Sequence, residues 1–223
     1  MNANHHPTLY LLKDYASGNI SDQLAVLISA HLESCDHCQS NVKRFEQEMA
    51  EKLASQQTNN NIPDFGHMLE TILDKKQEYP DIINTKQIDK TLTYNDKRFE
   101  LPTSLTHLKK YMSPWKNKLN SFHYSKINLN GPGNMYLIYF EKGAKIPQHT
   151  HNGNEFVYVI AGSFEDGVNE YYTGTFASFD HTHSHAPQTN DPDGCLLVTI
   201  IEAPFHFQKG WSRLFNLLGR WLY

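Results

Sequence analysis

Apolar residues recur at helical spacing in the first third of the chain and at strand spacing in the rest. Residues 8–17 read as a short helix carrying Leu9, Leu11 and Leu12, with Gly18 as its stop. Ser21 is a good N-cap for a second helix. There Leu24, Leu27, Ile28 and His31 follow at i, i+3, i+4 and i+7, which puts His31 on the buried face. A third helix carries the stripe Val42, Phe45, Met49 and Leu53. The polar, Asn/Gln-rich stretch 54–63 reads as a linker. Phe65, Met68, Leu69, Ile72 and Leu73 then form one more amphipathic stripe, ending before Pro80. Two readings of that stripe stand level: it packs on the three helices before it, or it is offered to a partner.

From Leu92 the pattern changes. The runs HYSKINL, NMYLIYF, EFVYVI and CLLVTII are short and rich in aromatic and β-branched residues. Glycine and proline punctuate them, at Gly131-Pro132-Gly133, Gly143, Gly162, Gly174 and Asp191-Pro192-Asp193-Gly194. This predicts an all-β sandwich or barrel. In the tail, Trp211, Leu214, Phe215, Leu218 and Leu222 line one helical face. With only two arginines there, packing on the barrel or on a homodimer mate is expected over membrane attachment.

Composition narrows the class. The net charge of -4 provides no basic field for direct nucleic-acid binding. No apolar run approaches the roughly 20 residues of a membrane span. The N-terminus lacks the basic-then-apolar order of a signal peptide, so a cytoplasmic protein is expected. In such a reducing compartment three cysteines, two of them in Cys35-Asp36-His37-Cys38, favour metal or redox chemistry over a disulfide framework.

The thirteen histidines cluster, and two constellations emerge. His31-x3-Cys35-x2-Cys38 places one imidazole and two thiols at the end of a helix, a strong start for tetrahedral zinc. A fourth ligand is available from His5 or His6 if the first helix folds back on the second. His37 also lies between the cysteines, but its neighbours take the inward directions and it is not expected as a ligand. In so small a helical unit a metal supplies much of the folding energy. A CxxC redox switch is compatible with the same site, since oxidation expels the metal.

The second constellation is Gly143-x5-His149-x-His151-x3-Glu155-x6-Gly162. Residues two apart on a strand share a face, so His149 and His151 aim at one point. Gly153 breaks the strand and lets Glu155 meet them. A downstream histidine from His181, His183 or His185 completes the set. Three imidazoles and a carboxylate suit zinc, iron, manganese, nickel or copper.

Both patterns point to families. Gly143 to Gly162 resembles the first cupin motif with every anchor in place. Gly174 to His185 resembles the second, with Asp180, Thr182 and Thr189 standing where Pro, Gly and Asn are usual. That alignment selects His185 as the fourth ligand. The helical pattern resembles the zinc-binding anti-sigma domain, and the pairing resembles the ChrR family of anti-sigma factors over nearly the whole chain. The resemblance selects His6 over His5. It implies a multi-domain chain, α then β. Residues 1–80 would form a helical zinc-binding anti-sigma domain, 81–98 a connecting segment, and 99–223 a cupin (double-stranded β-helix, jelly-roll) barrel. It further implies that the helical domain clamps an extracytoplasmic-function (ECF) type sigma factor through zinc held by His6, His31, Cys35 and Cys38. The barrel would hold a second divalent metal, zinc in the type member, on His149, His151, Glu155 and His185. It would release the sigma factor on an oxidative signal such as singlet oxygen or organic peroxide. The alternative is a metal-dependent cupin dioxygenase, which leaves the HxxxCxxC module without a task. A storage or sugar-binding cupin dimerised by its helices meets the same objection.

Overall fold

The computed structural model describes residues 5–55, 65–75, 89–118 and 121–207. The linker beyond Ser55 and the expected tail helix lie outside the described residues.

Three helices open the chain. Helix α1 spans Leu9–Ala16, and Thr8 caps it by accepting from Leu11 N. Helix α2 spans Asp22–Leu32, with the Ser21 hydroxyl accepting from Leu24 N and Asp22 in the first turn. Leu24, Leu27, Ile28 and His31 are buried, as their spacing predicts. Helix α3 spans Asp36–Ser55 and begins earlier than the pattern suggests, so Cys38 sits in its first turn. Its apolar stripe is buried only at Val42 and Phe45. Leu53, farther along, is 70% exposed. Helix α4, Gly66–Asp74, buries none of its residues. Phe65, Met68, Leu69, Ile72 and Leu73 are each more than half exposed. Of the two readings of that stripe, packing on the first three helices is not what the structure shows.

The stretch expected as a connection contains, in its described part, a hairpin of β1, Thr91–Tyr94, and β2, Lys97–Glu100. Asn95 and Asp96 both have positive φ, 48° and 60°, the signature of a tight two-residue turn matched to strand twist. The short helix α5, Thr103–Thr106, and a 3-10 turn at His107–Tyr111 follow. Their Leu105 and Leu108 are buried.

The barrel is antiparallel. Its strands are β3 Lys116–Lys118, β4 Phe122–Ile127, β5 Asn134–Phe140, β6 His149–His151, β7 Glu155–Glu165 and β8 Glu170–Tyr172. Then come β9 Phe176–Phe179, β10 Ser184–His185, β11 Cys195–Ile201 and β12 Phe205–Phe207. The large sheet runs β3-β4-β5-β11-β7-β8, with β9 also pairing β7. A small sheet, β10-β6-β12, faces it. Gly162, at φ 75°, lies where β7 passes β11, and any Cβ there would collide with the Gly194 carbonyl.

The long strands read as nearly continuous apolar runs because both faces are covered. Tyr136, Ile138, Val157, Val159 and Leu197 point into the barrel. Their neighbours Leu137, Tyr139, Phe156, Tyr158, Ile160, Leu196 and Val198 point outward. There they share one core with Leu12, Leu24, Leu27, Ile28, Val42 and Leu105. Helix α2 is also pinned by polar contacts. Buried Gln23 donates through Nε2 to the carbonyls of Leu129 and Gly133, at 3.1 and 3.0 Å. The Glu33 carboxylate accepts from Thr103 N and Ser104 N, at 2.7 and 2.8 Å.

This shared core sets a stability test. Leu27→Ala, wholly buried between α2 and the sheet, is expected to cost about 2–5 kcal/mol in urea unfolding. Leu53→Ala is expected to change stability by no more than about 0.5 kcal/mol. Equal costs for the two would contradict the packing described.

Candidate metal centres

The helical cluster is assembled from three pieces of backbone. His31 lies in the last turn of α2, Cys35 in the link after it, and Cys38 in the first turn of α3. His6 comes from the extended strap before α1. One potential ligand atom from each of the four lies within 4.8 Å of every other. His6 Nδ1 is 3.2 Å from His31 Nε2 and 3.4 Å from both Cys35 Sγ and Cys38 Sγ. Zinc binds imidazole nitrogen at about 2.0–2.1 Å and thiolate at about 2.3 Å, so a tetrahedral site has edges of roughly 3.3–3.8 Å. The observed separations fit such a site.

His5, left open beside His6 on the bare pattern, goes elsewhere. Its ring lies 4.5 Å from that of Tyr171, and its carbonyl accepts from Phe176 N. His37 is exposed and hydrogen-bonds with Asn41.

His31 has a fixed tautomer. Its Nδ1 is 2.8 Å from the carbonyl oxygen of Gly174, which can only accept. Nδ1 therefore carries the proton, and the Nε2 lone pair faces the cluster. Gly174 belongs to the barrel half, at φ 87° just before β9. No sequence pattern marks this contact, because the acceptor is a backbone atom. Burial lowers the pKa of His31 and of His6, which keeps both rings uncharged donors. Burial, then the neighbouring Cys35 thiol, pushes Cys38 up to about 12. Two thiolates side by side here are tolerable only with a cation between them.

The barrel cluster stands on the small sheet. His149 and His151 alternate on β6 and point inward, while Thr150 between them does not. His185, on β10, pairs with His149 across the ladder. Its Nε2 is 2.9 Å from His151 Nε2 and 3.1 Å from His149 Nε2. Ligands at right angles about a metal, each about 2.1 Å away, stand about 3.0 Å apart. His149 Nδ1 donates to the Pro147 carbonyl at 2.9 Å, which turns its Nε2 lone pair inward. Glu155 opens β7 after the break at 152–154. Its Oε1 accepts from Thr199 Oγ1 at 2.9 Å. Its Oε2 lies 3.5 Å from His151 Nδ1 and 4.0 Å from His185 Nε2. One potential ligand atom from each of these four residues also falls within 4.8 Å of the rest.

Burial dominates the protonation of this cluster. It lowers His149 to about 4, and, with the neighbouring imidazoles, His151 and His185 to about 3. It raises Glu155 to about 7, against the stabilising Thr199 hydroxyl. The result is a set of converging, uncharged nitrogen donors beside a carboxyl group that ionises near neutrality. Such a donor set fits a divalent cation.

Of the three candidate histidines of the second motif, only His185 joins the cluster. His181 and His183 are exposed, in the turn before β10, because the extended run expected over all three is only two residues long. Asp180, where the cupin pattern has proline, builds that turn by accepting from Thr182 N at 2.8 Å and Thr182 Oγ1 at 2.6 Å. Thr189, where the pattern has asparagine, is buried and donates to the Ser163 carbonyl at 2.6 Å. A cavity of about 30 Å³ adjoins the cluster, lined by Phe122, Ile138, Phe140, Phe164, Leu197 and Phe205 among others. Cys195 opens β11 as a buried thiol in the barrel core, where burial raises its pKa.

Comparison with known proteins places this geometry. Residues 114–203 match the family model described as the ChrR Cupin-like domain. The chain is 19% identical over 228 residues to the anti-sigma-E factor ChrR of Cereibacter sphaeroides, covering 96% of this chain and 97% of that one. Its structure is similar to the crystal structure of Rhodobacter sphaeroides SigE in complex with the anti-sigma ChrR. The TM-score is 0.67 at 16% identity, over 89% of this chain and 98% of that one. An RmlC-like cupin from Ralstonia eutropha matches 47% of the chain with a TM-score of 0.40. A matched ChrR cupin-like domain over residues 114–203, alignment over nearly the full length of both chains and a shared fold make the chain similar to ChrR along its length.

Proposed function

We propose that the protein is an anti-sigma factor that sequesters an ECF-type sigma factor through its helical half. The observation that carries this reading is the end-to-end similarity to the anti-sigma-E factor ChrR, which spans the helical segment and not the barrel alone. The exposed apolar face of α4 supports it. Phe65, Met68, Leu69, Ile72 and Leu73 have no cover among the described residues, and an unpartnered amphipathic helix suits a groove on a protein partner. Among the described residues no helix is long and apolar enough to cross a membrane. A cytoplasmic location follows from the proposed partner, which acts there on RNA polymerase.

Zinc, in this proposal, is held by His6, His31, Cys35 and Cys38, where it supplies structural cross-linking. The four residues fix the end of α2, the start of α3 and the strap before α1 against one another. His149, His151, Glu155 and His185 hold a second divalent metal, zinc by family resemblance. We assign to the barrel the reception of an oxidative signal of the singlet-oxygen or organic-peroxide type, and to the helices the release of the sigma factor. A dioxygenase would use the same three histidines and glutamate. The cavity beside them, about 30 Å³, is far below the roughly 300 Å³ or more of pockets that enclose an organic substrate.

The test is inhibition of transcription in vitro by the full-length chain, with a sigma factor from the same organism and zinc in excess. Wild type and His149→Ala are expected to inhibit, and Cys35→Ser/Cys38→Ser is expected not to. Leu69→Asp is expected to weaken the complex by about 2 kcal/mol, roughly thirtyfold in Kd. Added organic hydroperoxide should relieve inhibition by wild type but not by His149→Ala. Full inhibition by the double cysteine variant would refute the role given to the cluster.

The barrel has its own pH signature. Its histidines are neutral down to about pH 4, whereas Glu155 stays protonated up to about 7 and must ionise to bind metal. Its folded pKa is raised, so metal uptake below that value releases a proton. In a Cys35→Ser/Cys38→Ser background, chelator competition should show affinity rising about tenfold per pH unit up to pH 7 and levelling above it. Glu155→Gln should remove that rise. An unchanged slope in Glu155→Gln would exclude Glu155 as a ligand.

A further inference from the structure

The two clusters share one strand as support. The strap that carries His6 is hydrogen-bonded to β9, since the His5 carbonyl accepts from Phe176 N at 3.2 Å. His31, on the other side of the helical cluster, is held by the Gly174 carbonyl two residues before β9. The far end of β9 is Phe179, whose ring centroid is 4.4 Å from that of His185 and 6.1 Å from that of His151. Aromatic contacts close the path. His5 lies 4.5 Å from Tyr171, and Tyr171 lies 5.8 Å from Phe179. Tyr171 is itself locked, donating to Asp166 at 2.6 Å and stacking on Phe164 at 4.5 Å. Tyr171, Phe176 and Phe179 are buried, His5 is half-buried against Tyr171, and such close packing and hydrogen bonding transmit displacement instead of absorbing it.

From this we infer that β9 and Tyr171 make the two metal centres cooperative: a metal ion in the barrel strengthens metal binding by the helical cluster. Without a cation, a proton on His185 Nε2 can serve only one of the two ring nitrogens 2.9 and 3.1 Å away, so the metal-free rings settle differently and His185 and His151 move against Phe179. The displacement passes through Tyr171 to His5, and through β9 to Gly174, loosening two of the four helical donors. Gly174 is thus a positioning residue of the helical centre supplied by the barrel half. By thermodynamic reciprocity the helical metal strengthens the barrel's hold by the same factor. The inference rests on the metal-binding reading of both clusters and is independent of the sigma factor.

The test uses the full chain loaded with cobalt(II). Only the helical cluster has thiolates, so the near-ultraviolet thiolate-to-cobalt charge-transfer band reports that centre alone. Affinity is read by equilibrium competition with a chelator, and total cobalt is counted separately. Emptying the barrel with His151→Ala/Glu155→Ala should leave one cobalt per chain and weaken the helical centre about tenfold. Cys35→Ser/Cys38→Ser should weaken the barrel centre by the same factor. Tyr171→Leu should keep two cobalt ions but lose the coupling. Equal helical affinity in the one-cobalt and two-cobalt proteins would overturn the inference while leaving both sites in place. No charge-transfer band in any variant would overturn the metal reading itself, and the inference with it. If Tyr171→Leu fails to fold, the reciprocal comparison of the other two variants still decides.

Discussion

The large sheet is buried on both faces, and the placement of everything else follows from that constraint. Its inner face fills the barrel with Ile138, Val157, Val159 and Leu197. Its outer face, through Leu137, Tyr158, Ile160 and Val198, is apolar as well and must be covered. Helix α2 covers it, and burying Leu27 and Ile28 there sets the depth at which His31 meets the Gly174 carbonyl. The helical cluster is therefore seated on the barrel, although its four donors all come from the N-terminal segment.

Both clusters solve one electrostatic problem. Each gathers buried or half-buried donors that are unfavourable neighbours when bare: neutral imidazole nitrogens facing one another, the Cys38 thiol whose ionisation burial opposes, a carboxyl held protonated up to about pH 7. A divalent cation turns each conflict into an attraction. The donor sets differ in kind. Two sulfurs and two nitrogens on helix ends suit a closed tetrahedral site. Three nitrogens and a carboxylate on strand edges have separations near those of right-angled ligation, beside a chamber of about 30 Å³.

Much of this was legible in the sequence where it rests on periodicity or side-chain chemistry. The i, i+3, i+4, i+7 spacing located His31 on the buried face, and the runs NMYLIYF and CLLVTII became β5 and β11 residue for residue. The alternation of His149 and His151, with a break before Glu155, placed three donors at one point. What stayed hidden depends on partners distant in the chain. The Gly174 carbonyl carries no side-chain signature. Gln23 looks like an exposed helix residue until the loop at Leu129 and Gly133 arrives to accept from it. Between His5 and His6 the bare pattern could not choose, because the choice depends on Tyr171 and Phe176, which only the barrel brings near. The hairpin at 91–100 was signalled by Asn95-Asp96, a two-residue turn between short polar strands whose faint alternation resembles a linker.

The proposed join between a metal-organised helical module and a protein partner is open to one direct measurement. The full chain would be co-expressed with the sigma factor of its own organism and weighed by native mass spectrometry. A one-to-one complex is expected, in which each copy of this chain carries two metal ions. A chain that carries both ions and remains unpartnered would contradict it.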